Sequence, residues 1–195
     1  MKKLYIIFSA LLVIGITAGI LYLTVIRPGN TELPQDVVLQ TAFEEEYSFE
    51  ESPNKVRLIE FMYTNCPDVC PVTTLELSKL RNKLEKEGVF GDQVEFLTIT
   101  IDPKHDTLEV LQDYANRFEV TESDEGWYFL RGTDEDTKKL ADSLDFRYRD
   151  PGTGDIVHTS YSYLLDEKDN LLEQFTMGDK FDTDKAFNKI LKTIN

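Results

Sequence analysis

The only two cysteines of the chain, Cys66 and Cys70, stand in "FMYTNCPDVCPVT", Phe61 to Thr73, with three residues between them and a proline after each. Three kinds of chemistry suit two thiols so placed: a structural disulfide, a thiol redox pair, or two of the ligands for a soft metal. The purely structural role is the weakest. Closing so short a loop removes little entropy from the unfolded chain, and the gain grows with loop length. Cys-x-x-x-Cys on its own leaves redox work and metal binding both open.

Two thiolates do not complete a metal site, since copper(I) takes two or three soft ligands and zinc usually takes four. The chain has two histidines. His105, in the polar stretch "DPKHDT", is expected to be a solvent-exposed loop residue. His158, in "GDIVHTSYSYLL", precedes an apolar run. It is the candidate third ligand if the fold brings that stretch against the cysteines.

The elements needed to do this are legible as patterns. "KVRLIEFM" (Lys55–Met62) is short, apolar and β-branched, which predicts a buried strand ending at the cysteine loop. Leu75, Leu77, Leu80 and Leu84 recur at helical spacing, predicting a helix over Thr73–Glu87 that Gly88 stops. Asp68 is its expected N-cap. Cys70 then falls in the first turn, where Pro71 is tolerated and the positive end of the helix should make both thiols more acidic than free cysteine.

Further on, "VEFLTITID" (Val94–Asp102) and "WYFLR" (Trp127–Arg131) read as strands. Helices are expected from Thr107 to Phe118 and, capped by Thr133 with Asp136 three residues on, to Leu144. "SYSYLLD" and "NLLEQF" have hairpin spacing, and a last amphipathic helix spans Asp182–Ile194. Parallel β-α-β units followed by β-β-α give an α/β, thioredoxin-like fold: a central mixed sheet flanked by helices. In that layout the loop entering the first hairpin strand comes up against the cysteine loop. No proline lies between Gly152 and Asn195, so an imidazole stands where disulfide oxidoreductases of thioredoxin type carry a cis-proline.

The N-terminus is different in kind. After Lys2 and Lys3 the chain is uncharged from Leu4 to Ile26, 23 residues, long enough at about 1.5 Å each to cross a hydrocarbon core roughly 30 Å thick. Residues 1–26 therefore read as a retained transmembrane anchor. The flanking lysines put its N-terminus in the cytoplasm and the domain outside the cell membrane, where thiols can be oxidised. Residues 27–54 read as an acidic tether and irregular extension, and 55–195 as the folded domain. From Arg27 onward there are 19 basic and 36 acidic residues, a balance that excludes nucleic acid and anionic headgroups as partners of this domain.

Three stretches, "YTNCPDVCP" (Tyr63–Pro71), "TITIDPKHDT" (Thr98–Thr107) and "IVHTSYSYLLDEKDNLLEQF" (Ile156–Phe175), resemble in order and spacing the Sco/SenC family, membrane-anchored copper proteins of cytochrome c oxidase assembly. The resemblance implies a thioredoxin-like fold and one copper ion, Cu(I) or Cu(II), held by Cys66, Cys70 and His158. It also implies a role in metallating the binuclear copper centre of oxidase subunit II. Val157 stands where an acidic residue commonly precedes the histidine.

Such a chain is a delivery protein rather than an enzyme. The alternative is a thiol-disulfide reductant that keeps the oxidase copper-site cysteines reduced, with Cys66 and Cys70 as a redox-active disulfide. Asp68, Asp102 and Asp106 are near enough in sequence to the site loops to support the ligands or dock a partner, although capping and turn formation are the plainer role of each.

Overall fold

The computed structural model describes residues 2–21, 33–52 and 54–194. Two compact units divide at residue 30. In the first, Lys2–Leu21 forms helix α1, and its apolar side chains from Leu11 to Ile14 are exposed. Among the described residues no helix is long and apolar enough to cross a membrane. The end of the expected anchor, residues 22–26, and the start of the tether, 27–32, lie outside the described residues.

The second unit is built on a seven-stranded sheet. Its strands are β1 (Val38–Thr41), β2 (Glu46–Ser48), β3 (Val56–Met62), β4 (Val94–Thr100), β5 (Trp127–Arg131), β8 (Tyr161–Leu165) and β9 (Leu171–Thr176), in the order β2-β1-β5-β4-β3-β8-β9. Strands β3, β4 and β5 run parallel, and β8, β9, β1 and β2 add antiparallel pairings at either side. Every residue of β3 and β4 is buried, as expected of parallel strands covered on both faces. The sheet also reaches into the segment before residue 55, because β1 and β2 pair with it there.

Helix α2 (Val69–Lys86) connects β3 to β4, and α3 (Leu108–Arg117) connects β4 to β5. The hydroxyls of Thr74 on α2 and Tyr114 on α3 lie 3.2 Å apart, so both helices cover one face. Helix α4 (Asp134–Ser143) leads to Phe146 on the opposite face, against Phe61 with ring centroids 4.5 Å apart. The C-terminal helix α5 (Thr183–Ile194) packs beside α2. Local chemistry sets the ends of these helices. Thr107 and Thr133 accept the N–H of Val110 and Asp136, and Gly88 takes a φ of 69° after α2, a conformation glycine adopts freely.

One small element went unread in the sequence. Tyr148–Arg149 (β6) and Val157–His158 (β7) form a separate two-stranded antiparallel ribbon, with Tyr148 opposite His158.

Candidate metal centre

Strand β3 ends at Met62, and the chain turns through Tyr63–Asp68 before α2 begins. The turn is fastened from several sides. The Cys66 N–H donates to the Tyr63 carbonyl at 3.1 Å. The Asp106 carboxylate, fully buried, accepts from the Thr64 N–H at 3.1 Å and from the hydroxyls of Thr64 and Thr100. Asp106 thus ties the cysteine loop to the end of β4. Burial pushes its carboxyl above the ordinary range, while these donors pull the other way.

Asp68 occupies the N-cap position of α2, as expected, but its side chain makes no capping hydrogen bond. Sulfur does that work instead: the Cys70 N–H, one of the first-turn amides without an intrahelical carbonyl, donates to Cys66 Sγ at 3.4 Å. Both cysteines are reduced. Cys70 is fully enclosed and Cys66 is 9% exposed, so the pair opens to solvent through Cys66.

The two sulfurs do not share one acidity, which corrects the expectation that the helix start lowers both. Hydrogen bonding from the Cys70 thiol, with help from His158 and the N–H groups of Asp68 and Cys70, holds Cys66 far below the ordinary thiol value. Cys70, the donor in that pair and more deeply buried, is pushed far above it. One negative charge is shared rather than two placed side by side.

The β6–β7 ribbon delivers His158 to this pair. Its closure is reinforced by the Thr159 N–H donating to the Arg147 carbonyl at 2.8 Å and the Arg147 N–H donating to the Thr159 hydroxyl at 3.0 Å. The His158 ring stacks on Phe146 at 5.8 Å and meets the edge of Tyr63 at 6.1 Å. The Tyr63 hydroxyl accepts the Ile156 N–H at 3.3 Å, tying the ribbon to the cysteine loop.

His158 Nδ1 lies 2.7 Å from the Thr159 carbonyl. A carbonyl only accepts, so Nδ1 carries the proton and Nε2 is left as the lone-pair donor. Burial disfavours the charged imidazolium, yet the contact with Cys66 and the Thr159 carbonyl outweigh it and raise the His158 value.

The ligand atoms of Cys66, Cys70 and His158 all lie within 4.8 Å of one another, and among the described residues no other cysteine, histidine or carboxylate group gathers in this way. With bonds of about 2.0–2.3 Å, as sulfur and imidazole make to zinc, one ion reaches all three after small adjustments. Two sulfurs and one nitrogen form a soft donor set that suits copper(I), and the imidazole extends it to copper(II).

His105 stands apart, 68% exposed, with Nδ1 2.8 Å from the Asp102 carboxylate, which raises its value. It is a loop residue, as its sequence context suggests. Tyr63, Phe146 and Thr64 were missed as supports of the site. Tyr63 and Thr64 at least flank the first cysteine, whereas nothing local marks Phe146.

A model of the SCO1/SenC protein family matches residues 29–195. A SCO2-like protein of Rickettsia typhi is 30% identical over 191 residues, covering 89% of each chain. Among solved structures, a SCO1/SenC family lipoprotein of Bacillus anthracis superposes with a TM-score of 0.76 at 23% identity, over 87% of this chain and 98% of its own. ScoI of Bradyrhizobium japonicum with copper bound gives a TM-score of 0.66 at 25% identity, over 80% and 96%. The architecture is thus the one expected, a mixed sheet flanked by helices.

Proposed function

The chain belongs to the SCO1/SenC family, and from that premise we propose that it binds one copper ion through Cys66 Sγ, Cys70 Sγ and His158 Nε2 and delivers it to the binuclear copper centre of cytochrome c oxidase subunit II. The observation that carries this reading is the meeting of three soft or borderline donors, from two distant stretches of sequence, within 4.8 Å. The likeness to a copper-bound relative supports it.

The arrangement suits handing cargo on. Cys66 lies at the opening and Cys70 behind it, so an incoming thiolate or imidazole of the partner meets the outer sulfur first. Release then proceeds by exchange of one ligand at a time, with no substrate turned over. Copper-loaded protein mixed with metal-free subunit II domain tests this. Appearance of the binuclear centre's absorption with loss of copper from the donor is expected, and retention of the copper by the donor would rule delivery out.

A second reading is favoured by the opposed acidities of the sulfurs. An acidic outer thiol that attacks and a protonated inner thiol that resolves are what thiol-disulfide exchange requires. Cys66 and Cys70 then pass between dithiol and disulfide, and the same pair reduces the partner's cysteines before metal arrives. The dithiol form is needed in either case, because a disulfide offers no thiolate to the metal.

We also propose that α1 with residues 22–26 anchors the domain on the outer face of the cell membrane. A helix apolar around its circumference is at home in lipid. Fractionation with membranes, resistant to high salt and released by detergent, is the expected result; recovery in the soluble fraction would remove the anchor.

A further inference from the structure

One side chain touches both halves of the candidate centre. Tyr63 is the first residue after strand β3 and is buried. Its carbonyl accepts the Cys66 N–H at 3.1 Å, which shapes the turn carrying the first sulfur. Its ring meets the His158 imidazole edge-on, with centroids 6.1 Å apart. Its hydroxyl accepts the Ile156 N–H at 3.3 Å, two residues before His158 and 93 positions away in sequence. The two stretches of chain that supply the ligands are thus joined through a single residue.

The hydroxyl contact falls where the ribbon has least else to hold it. From Asp150 to Asp155 every residue is exposed, and Gly152 and Gly154 turn the chain with φ of 75° and 95°. Ile156 is where the returning strand first packs against the domain. Alternation then sends Val157 outward, 57% exposed, and brings His158 back towards the sulfurs. The opposite end of the ribbon is closed by Arg147 and Thr159. Two paired strands are marginal by themselves, so the position of this ribbon depends on what fastens each end.

We propose that the Tyr63 hydroxyl is a positioning group for copper: it fastens the outer end of the ribbon and so keeps His158 within reach of Cys66 and Cys70. This role rests on the reading that these three residues hold the ion, and it adds which oxidation state the fastening favours. Two thiolates suffice for copper(I), whereas copper(II) relies on the imidazole as well. Holding the imidazole in place therefore retains copper(II) more than copper(I), and lowers the potential at which the bound ion takes up one electron. The phenol neither ionises nor touches the metal in this role.

The test is Tyr63→Phe in the whole chain in detergent, which removes one oxygen and keeps the ring against His158. In the metal-free reduced protein, the Ile156 amide should exchange with deuterium about fivefold faster, the factor carried by one hydrogen bond of ordinary strength. With copper bound, the affinity for copper(II) should fall about fivefold while that for copper(I) changes little, raising the one-electron potential by about 40 mV. The nitrogen hyperfine coupling in the copper(II) resonance spectrum should weaken in parallel.

A general loss of stability in the variant would lower both affinities together and leave the potential where it was. An unchanged potential therefore overturns the role of the hydroxyl, whatever the exchange rate, and leaves the three ligands intact. Ile156 exchange equal to wild type overturns it as well, since no fastening was lost. A wild-type chain that binds no copper sinks the copper reading itself, a result separate from any difference between the two proteins.

Discussion

Asp106 holds Thr64 by both its backbone N–H and its hydroxyl, and the same carboxylate is bonded to Thr100 at the end of β4. Two residues after Thr64 comes Cys66, so the first sulfur stands on a loop pinned to the sheet by a buried carboxylate rather than by the cysteines themselves. Asp106→Ala leaves three donors without their acceptor, the Thr100 hydroxyl fully buried and the two of Thr64 partly so. Thermal unfolding should show a loss on the order of 3 kcal/mol, and copper affinity should fall with it. An unchanged melting temperature would mean that the carboxylate contributes nothing to the loop.

The imidazole of His158 is held between Phe146 and Tyr63, with Phe146 fully buried against Phe61 and Tyr163. Removing Phe146 as alanine should cost roughly 3–5 kcal/mol and free the ring to rotate. The copper(II) spectrum should then broaden or shift while two-thiolate binding of copper(I) persists. His158→Ala should go further, abolishing the copper(II) form and weakening copper(I). A copper(II) spectrum identical to wild type in His158→Ala would remove the histidine from the site.

The asymmetry of the sulfurs has a kinetic signature. Cys66, held well below the ordinary thiol value and partly exposed, should react with iodoacetamide at pH 6, where free cysteine is almost wholly protonated. Cys70, protonated and enclosed, should lag far behind. Peptide mapping after a short exposure distinguishes the two; equal labelling would contradict the shared proton.

Glu60, fully buried within β3, bears on stability. Its folded value of about 8 lies above that of an unfolded glutamate near 4.5, so the native state binds more protons than the unfolded one between those limits. Stability from this group is therefore full at acid pH and declines as pH rises through that window. Denaturant unfolding of wild type against Glu60→Gln should show wild type losing ground from about pH 5 towards pH 8. A constant difference across the range would mean that Glu60 does not titrate there.

Much of this arrangement was legible in the residues, and what was not has physical reasons. The parallel strands stood out as short runs rich in Val, Ile, Leu and Phe, as in "VEFLTIT", buried at every position. The cysteines and His158 stood out because so few soft donors exist in the chain. Helix α2 begins at Val69, four residues before its leucine periodicity suggests, because Pro71 in a first turn sacrifices no hydrogen bond. The β6–β7 ribbon, which places His158, is invisible to any alternation pattern at two residues a strand, and only the turn residues of "DPGTGD" between them hint at it. Strands β1 and β2 are nearly as short. Asp68 shows how a capping residue can be correctly placed and still do nothing, since the Cys66 sulfur takes the Cys70 N–H at that helix start. Arg57 and Glu60 are two charges inside the buried strand "VRLIEFM"; Arg57 pairs with Glu95 on β4, and the strand's apolar residues hid both from a reading by pattern.

The most direct measurement is a copper(I) titration of the reduced whole chain in detergent, with X-ray absorption at the end point. One copper per chain is expected, with two sulfur neighbours and one imidazole nitrogen, and loss of stoichiometric binding in Cys66→Ser and in Cys70→Ser. Full binding that survives either serine substitution, or a metal environment without sulfur, would contradict the account.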